Sequence, residues 1–268
     1  AYEVNEEMAD VLMNRPVLEH ASNLGGLIAK DIADEAGIPA YIYDSVSVDE
    51  LSDVARITGL SEIVRTSQSH CLNMRAAAIK TAQEMGSAYT DMNLVVAHLG
   101  GGISLSAHRH GQMLDIVSDD EGPFSPERSG RLPIKNFIKL CAQHDINEIK
   151  KMVRGNGGLV SLLGTNSALE VQKRIDSGDE RARLVYEAMA YQIAKSIGEL
   201  AVVLDGEVDA IVITGGIAYS EFITEYIKKK VSFIAPVEIL PGENELESLA
   251  FGAYRVLTGE EKAHIFAE

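Results

Sequence analysis

Two groups of residues in this chain have the types and spacing for anion chemistry. Gly100, Gly101 and Gly102 stand between two apolar runs, LVVAHL and ISLSAH. Consecutive glycines let a strand connection turn tightly and present backbone N–H groups to an anion, typically a phosphate. Downstream, Arg128 lies in GPFSPERSG, where Pro123 and Pro126 stiffen the loop. A guanidinium keeps its charge at all relevant pH and matches the equatorial oxygens of a transferring phosphoryl group. A glycine cradle followed by a positioned arginine therefore predicts phosphoryl transfer. The plainer alternative for Arg128 is a surface ion pair with Glu127 or Glu121.

A second glycine-rich strand end, TGGIA, carries Gly215, Gly216 and Ile217. Two such strand ends in one unit suggest a nucleotide straddling them, phosphates at the first and adenosine close to the backbone of the second. His70 and His20 each precede a helix, where free N–H groups attract anions. A structural role is about as good a reading for either. Asp44 ends a strand and Asp115 lies within one, positions from which carboxylates hold Mg²⁺ directly or through water. Glu243, Glu245 and Glu247 crowd a helix N-terminus, where the dipole favours them. His98, His108 and His110 lack a fourth ligand and turn geometry separates them, so a metal cluster is not expected. No P-loop motif occurs, and GNGGLVSLLG reads as a structural turn rather than a dinucleotide loop because a helix precedes it.

The elements that must position these groups follow from periodicity. Helices are predicted at about 23–36, 49–54, 72–85, within 126–142, and at 148–153, 182–204, 220–230 and 245–257. In the strongest, Val185, Met189, Ile193, Ile197 and Leu204 share one face. Strands are predicted for IPAYIYD, for a three-strand meander from Asn93 with a His110-Gly111 turn, for VDAIVIT and for PVEIL. The meander followed by alternating helices and strands gives a mixed sheet with helical covers, an order that resembles the ribonuclease-H-like unit of actin-like ATPases. The expected fold class is α/β, with two similar domains around a cleft. Residues 1–47 are read as a remnant of the first domain, 48–245 as the second, nucleotide-binding one, and 246–268 as a C-terminal helix returning to the first.

The chain has 268 residues, 46% hydrophobic, enough for one or two sizeable cores. Its net charge of -16 argues against a nucleic-acid or anionic-membrane partner. An anionic substrate therefore needs locally concentrated positive groups. The run Lys228 to Lys230 reads as a solvated helix end. Cys71 and Cys141 lack metal spacing and suggest a reducing, cytoplasmic location. No stretch reads as a membrane span or a signal peptide. The chain opens on Ala1 inside a helix-like pattern, and a fragment lacking its N-terminal sheet is the expectation.

HASNLGGLIA, ARITGL, the His70 segment, NLVVAHLGGGIS, DEGPFSPERSG, GNGGL, AYQIAKSIG, VDAIVITGGIA and the PGE-x-E-x-x-x-LA-x-G end together resemble the acetate kinase family from about Tyr2 to Ala263. HLGGGIS with GPFSPERSG is similar to its butyrate-specific branch; acetate-specific members look like HLGNGAS and GTRSG. The resemblance implies ATP, Mg²⁺, and phosphorylation of the carboxylate of butyrate or a branched short-chain acid, with ADP as co-product. By the same resemblance, Arg128 stabilises the in-flight phosphoryl group and His70 hydrogen-bonds to it. His20 and Asn23 lie near substrate, and Asp44 positions the nucleophile or a metal-bound water. Glu245 holds Mg²⁺, with Glu243 and Glu247 aligning nearly as well. Gly100 to Gly102 contact phosphates, and Gly215 to Ile217 the adenosine. A homo-oligomer is a family-level expectation. Two other readings stay open: a nucleotide-binding actin-like fragment without catalysis, and another actin-like ATPase such as a sugar kinase.

Overall fold

The computed structural model describes residues 1–16, 21–243 and 245–267. The N-terminal layer comprises β1 (Tyr2–Glu3), α1 (Glu6–Asn14), α2 (Asn23–Ala36) and β2 (Tyr41–Ile42). α3 (Asp53–Arg56) and α4 (Cys71–Glu84) lead to the meander β3 (Leu94–Leu99), β4 (Ile103–Arg109) and β5 (Gln112–Val117). Four short helices follow: α5 (Ile134–Cys141), α6 (Ile146–Val153), α7 (Gly158–Leu163) and α8 (Ala168–Asp176). The chain then runs through α9 (Glu180–Val203), β6 (Ala210–Gly215), α10 (Glu221–Val231), β7 (Val237–Pro241), α11 (Glu245–Thr258) and β8 (His264–Ile265).

The main sheet has the order β5-β4-β3-β6-β7, with the meander antiparallel and β3, β6 and β7 parallel. β3 and β6 are buried throughout because helices cover both faces, which explains their unbroken apolar sequences. Alternation sorts their side chains. Val95, Ala97 and Leu99 join Ile211 and Ile213 in one core with Met189, Ile193 and Ile197 of α9. Leu94, Val96 and Val212 face Met74, Ala78 and Ala82 of α4 instead. The predicted apolar face of α9 is buried in full, and Asp179 caps the helix by accepting from the Ala182 amide. His110 and Gly111 turn the second hairpin at positive φ (53° and 78°), the conformation that matches strand twist.

The second sheet is small, in the order β2-β1-β8. Its last strand is parallel to its first, so residues near the two ends of the chain lie side by side. Asn5 Nδ2 donates to the Phe266 carbonyl (2.8 Å).

Several expectations shift. IPAYIYD pairs only over Tyr41–Ile42. The helix expected from Asp49 forms at Asp53–Arg56, because the Asp49 carboxylate is engaged by Arg56 and the Leu51 amide. GNGGLVSLLG contains a real helix, α7, after its glycine turn, and α8 was not anticipated. No helix among the described residues is long and apolar enough to cross a membrane.

Candidate active site

The parallel strands β3 and β6 end together, and both glycine segments lie at that edge. Space demands glycine at two of these positions, Gly100 and Gly215. A Cβ on Gly100 would stand 2.9 Å from His98 Nε2, and none of Gly100, Gly101 and Gly102 has a positive φ. At Gly215 both reasons apply: φ is +90°, and a Cβ would stand 2.5 Å from the Leu99 carbonyl oxygen. Gly216 faces open space. Ile217 buries its side chain in the main core.

A buried polar triad locks the two strand ends. His98 Nδ1 donates to Asn73 Oδ1 (2.9 Å), which also lies 3.2 Å from Thr214 Oγ1. These residues come from β3, α4 and β6, and all three are almost completely buried. Burial, with His70 adding to it, pushes the His98 pKa down to about 3, so the ring is neutral. Its Nε2 faces Glu243 Oε1 at 3.6 Å.

His70 precedes α4 and stacks on His98, ring centroids 4.0 Å apart and planes 16° from parallel. Its Nδ1 lies 2.8 Å from Ser104 Oγ of β4. Burial lowers its pKa; Asp119 and Glu243 oppose that, while Arg128 and Arg154 add to it. His70 Cε1 and Asp119 Oδ2 approach the open side of Gly102, at 3.5 and 3.6 Å from where a Cβ would be.

The Arg128 loop is fastened to the first glycine segment. Ser125 Oγ donates to the Gly101 carbonyl (2.7 Å), and so does the Glu127 amide (3.3 Å). Behind the loop, Gly158 has φ +58°, and a Cβ there would overlap the Ser125 carbonyl oxygen. The glycine cluster is thus the support of the arginine loop, which accords with its reading as a structural turn. Arg128 Nε donates to Asp119 Oδ2 at 2.9 Å. The ion pair with Glu127 considered in the sequence exists at 3.5 Å, beside the closer one with Asp119, and Glu121 is taken by Arg65.

The remaining candidates are dispersed. Asp44, at φ 45°, pairs with Arg75 at 2.9 Å, one turn into α4 from His70. Its Oδ2 is buried without a hydrogen bond among the described residues. Burial raises its pKa against the pull of Arg75. Asp115 is bound by Arg65 at 3.0 Å and so serves β5. Asn23 opens α2 in the N-terminal layer. Glu245 opens α11 with an exposed side chain, while Glu243 faces the histidine pair. His20 lies outside the described residues. No group of three or more metal-ligating side chains occurs among the described residues. Asp119, Arg154, Asn73 and Ser104 were not anticipated. Asp119 sits in the acidic run SDDEG and Arg154 beside the glycine cluster, and neither run reveals the tertiary contact.

A mixed sheet with paired glycine strand ends and an arginine loop laid over one of them has the actin-like ATPase fold. Over 95% of this chain and 74% of the other, it superposes on the acetate kinase of Porphyromonas gingivalis with a TM-score of 0.82 at 20% identity. A propionate kinase from Francisella tularensis superposes at 0.71 with 20% identity, over 92% of this chain and 73% of that one. Residues 60–261 match the Acetokinase family, and the chain belongs to it. It is 50% identical to butyrate kinase 2 of Clostridium acetobutylicum over 98% of its own length and 75% of that protein. It is 49% identical to a probable butyrate kinase of Listeria innocua over 99% and 76%.

Proposed function

We propose that this chain is a butyrate kinase, transferring the γ-phosphoryl group of ATP reversibly to the carboxylate of butyrate or a branched four-carbon acid. The observation that carries the reading is the convergence of His70 and the Arg128 loop on the glycines at the end of β3. Near-half identity to butyrate kinases over almost the whole chain supports the choice of acid. A carboxylate needs no general base, because it is ionised near neutral pH. Its oxygen attacks the γ-phosphorus, the bond to the β,γ-bridging oxygen breaks, and ADP leaves with that electron pair. The protein must screen two anions from each other and hold them in line.

Arg128 meets the equatorial oxygens. Ser104 Oγ accepts from the His70 amide (3.4 Å) and lies 2.8 Å from His70 Nδ1, which holds the ring beside Gly102, where a ring N–H meets a phosphoryl oxygen. Phosphates lie along Gly100 to Gly102, and adenosine along the main chain of Gly215 to Ile217. Mg²⁺ is usually held by one or two carboxylates together with substrate phosphates, which this donor set fits. Glu243 is the carboxylate turned to the site and Glu245 the next in sequence. Bound there, the ion would neutralise phosphate charge. Asp44, His20 and Asn23 are assigned to the acid side of the cleft.

The lobes are read as 1–47 with 246–268, and 48–245; pairing of β8 with β1 supports that division. Exposed apolar side chains at Val54, Ile57, Leu60, Ile63 and Val64 support a homo-oligomer. Two free cysteines suit the cytoplasm.

The test is hydroxamate formation with ATP, Mg²⁺ and hydroxylamine across acetate, propionate, butyrate and isobutyrate. Product peaking at four carbons is expected. ATP binding without product from any acid would contradict the reading.

A further inference from the structure

We propose that Arg154 is a second guanidinium of the phosphoryl site, directed there by Asp119. The inference rests on the kinase reading above and adds a phosphoryl contact to it. Asp119 Oδ2 accepts from Arg128 Nε at 2.9 Å and from Arg154 at 3.0 Å. That single oxygen is also the one beside Gly102, where His70 Cε1 closes the other side. Two guanidiniums, a histidine and a glycine edge thus surround one anionic oxygen.

The backbone explains why the two arginines converge. Arg128 and Arg154 are directly opposite each other in an isolated antiparallel bridge. Opposed residues in such a bridge project from the same face, and like charges there repel. The bridge is framed by the bond from the Ser129 amide to the Val153 carbonyl (3.0 Å) and from the Gly155 amide to the Glu127 carbonyl (2.8 Å). Arg154 therefore has a fixed origin at the end of α6, although its side chain is 63% exposed. An exposed arginine set against another arginine does little for the fold. A trigonal array of phosphoryl oxygens can accept from both. The depressed basicity of His70 agrees with the placement, since Arg154 contributes to it alongside Arg128.

In this arrangement Asp119 keeps hold of Arg128 Nε and one Arg154 terminal nitrogen, and the other guanidinium N–H groups meet the phosphoryl oxygens. Bonds form and break as described above, and no proton moves. Arg154 acts on the same oxygens as Arg128 from the opposite strand of the bridge.

The test is steady-state kinetics with ATP and butyrate on wild type, Arg154→Ala, Arg154→Lys, Asp119→Asn and the double variant Arg154→Ala/Asp119→Asn, with Arg109→Ala as a control on an exposed ion pair. Arg154→Ala is expected to lower kcat/KM by about 10²-fold, the usual cost of losing one preorganised donor, with an unchanged melting temperature. Arg154→Lys, or millimolar guanidinium added to Arg154→Ala, should restore part of the rate, and Arg109→Ala should match wild type. In the Asp119→Asn background, Arg154→Ala should cost far less, because the arginine is no longer aimed. Arg154→Ala within twofold of wild type, or a loss that neither lysine nor guanidinium relieves, would overturn the proposal while leaving the kinase reading intact. Wild-type protein that phosphorylates no acid would overturn both.

Discussion

At the scale of single residues, the site separates charge that must act from charge that must be silent. In the proposed reaction Arg128 is the acting cation. Arg128→Ala is expected to lower kcat by about 10³-fold, the scale of an arginine that stabilises a transferring phosphoryl group, with ATP affinity nearly unchanged. Single-turnover kinetics with calorimetric ATP titration would check this, and retained turnover would remove Arg128 from the mechanism. His98 is the silent group, held neutral by burial with its pKa pushed down to about 3. Unfolding returns it to the ordinary range near 6.5. Between those values the unfolded chain binds the extra proton, so stability is lost as pH falls from about 6.5 toward 3. His108, also pushed down to about 3 by burial, acts in the same direction. Urea unfolding from pH 7 to 5 should therefore be less steeply pH-dependent in His98→Gln than in wild type. An identical slope would mean that His98 is not the buried neutral base described.

Residue types with one chemical use stood out in the sequence, and the fold brings them together: the glycine segments, the Arg128 loop and His70. Asp119, Arg154 and Asn73 were not, because each acts through a partner from a distant segment. The sequence put Glu245 first, with Glu243 and Glu247 aligning nearly as well, whereas the fold turns Glu243 toward His98.

At the scale of elements, the glycines at the end of β6 divide into structural and open positions. Gly215→Ala places a Cβ against the Leu99 carbonyl at positive φ and is expected to destabilise the protein by about 2 kcal/mol or more. Gly216→Ala meets no neighbour within 4 Å and should leave the melting temperature unchanged. If adenosine lies along this main chain, Gly216→Ala should still weaken ATP binding. Thermal melts and ATP titrations on the pair separate the two roles, and unchanged ATP affinity in Gly216→Ala would move the adenosine elsewhere. Strong periodicity made α9 and the meander readable to within a residue or two. Of the four short helices between the Arg128 loop and α9, α5 and α6 were foreseen while α7 and α8 were not, since helices of six and nine residues carry little pattern. IPAYIYD looked like a full strand by composition, yet its small sheet offers partners for only two residues.

At the scale of the whole molecule, Arg75 ties three parts together. It pairs with Asp44 and Glu50 and donates to the Gly111 carbonyl at the hairpin tip. The pairing of the chain's two ends through β1 and β8 is equally non-local, which is why no window of sequence revealed the small sheet. Arg75→Ala would leave Asp44 buried without its cation and is expected to cost about 3–5 kcal/mol. Adding Asp44→Asn should recover part of that loss. Chemical denaturation of the single and double variants tests this, and additive losses would show that the two do not work as a pair. The net charge of -16 is a molecule-wide property that the sequence states outright, and it makes the local clustering of Arg128 and Arg154 necessary for an anionic substrate.

The most direct measurement is phosphorus NMR of the protein with ATP, Mg²⁺ and butyrate, recorded beside Arg128→Ala. Wild type should show an acyl phosphate resonance growing in step with ADP, and Arg128→Ala almost none. ADP formed with inorganic phosphate and no acyl phosphate in the wild-type sample, or equal acyl phosphate in both samples, would contradict a carboxylate kinase built around Arg128.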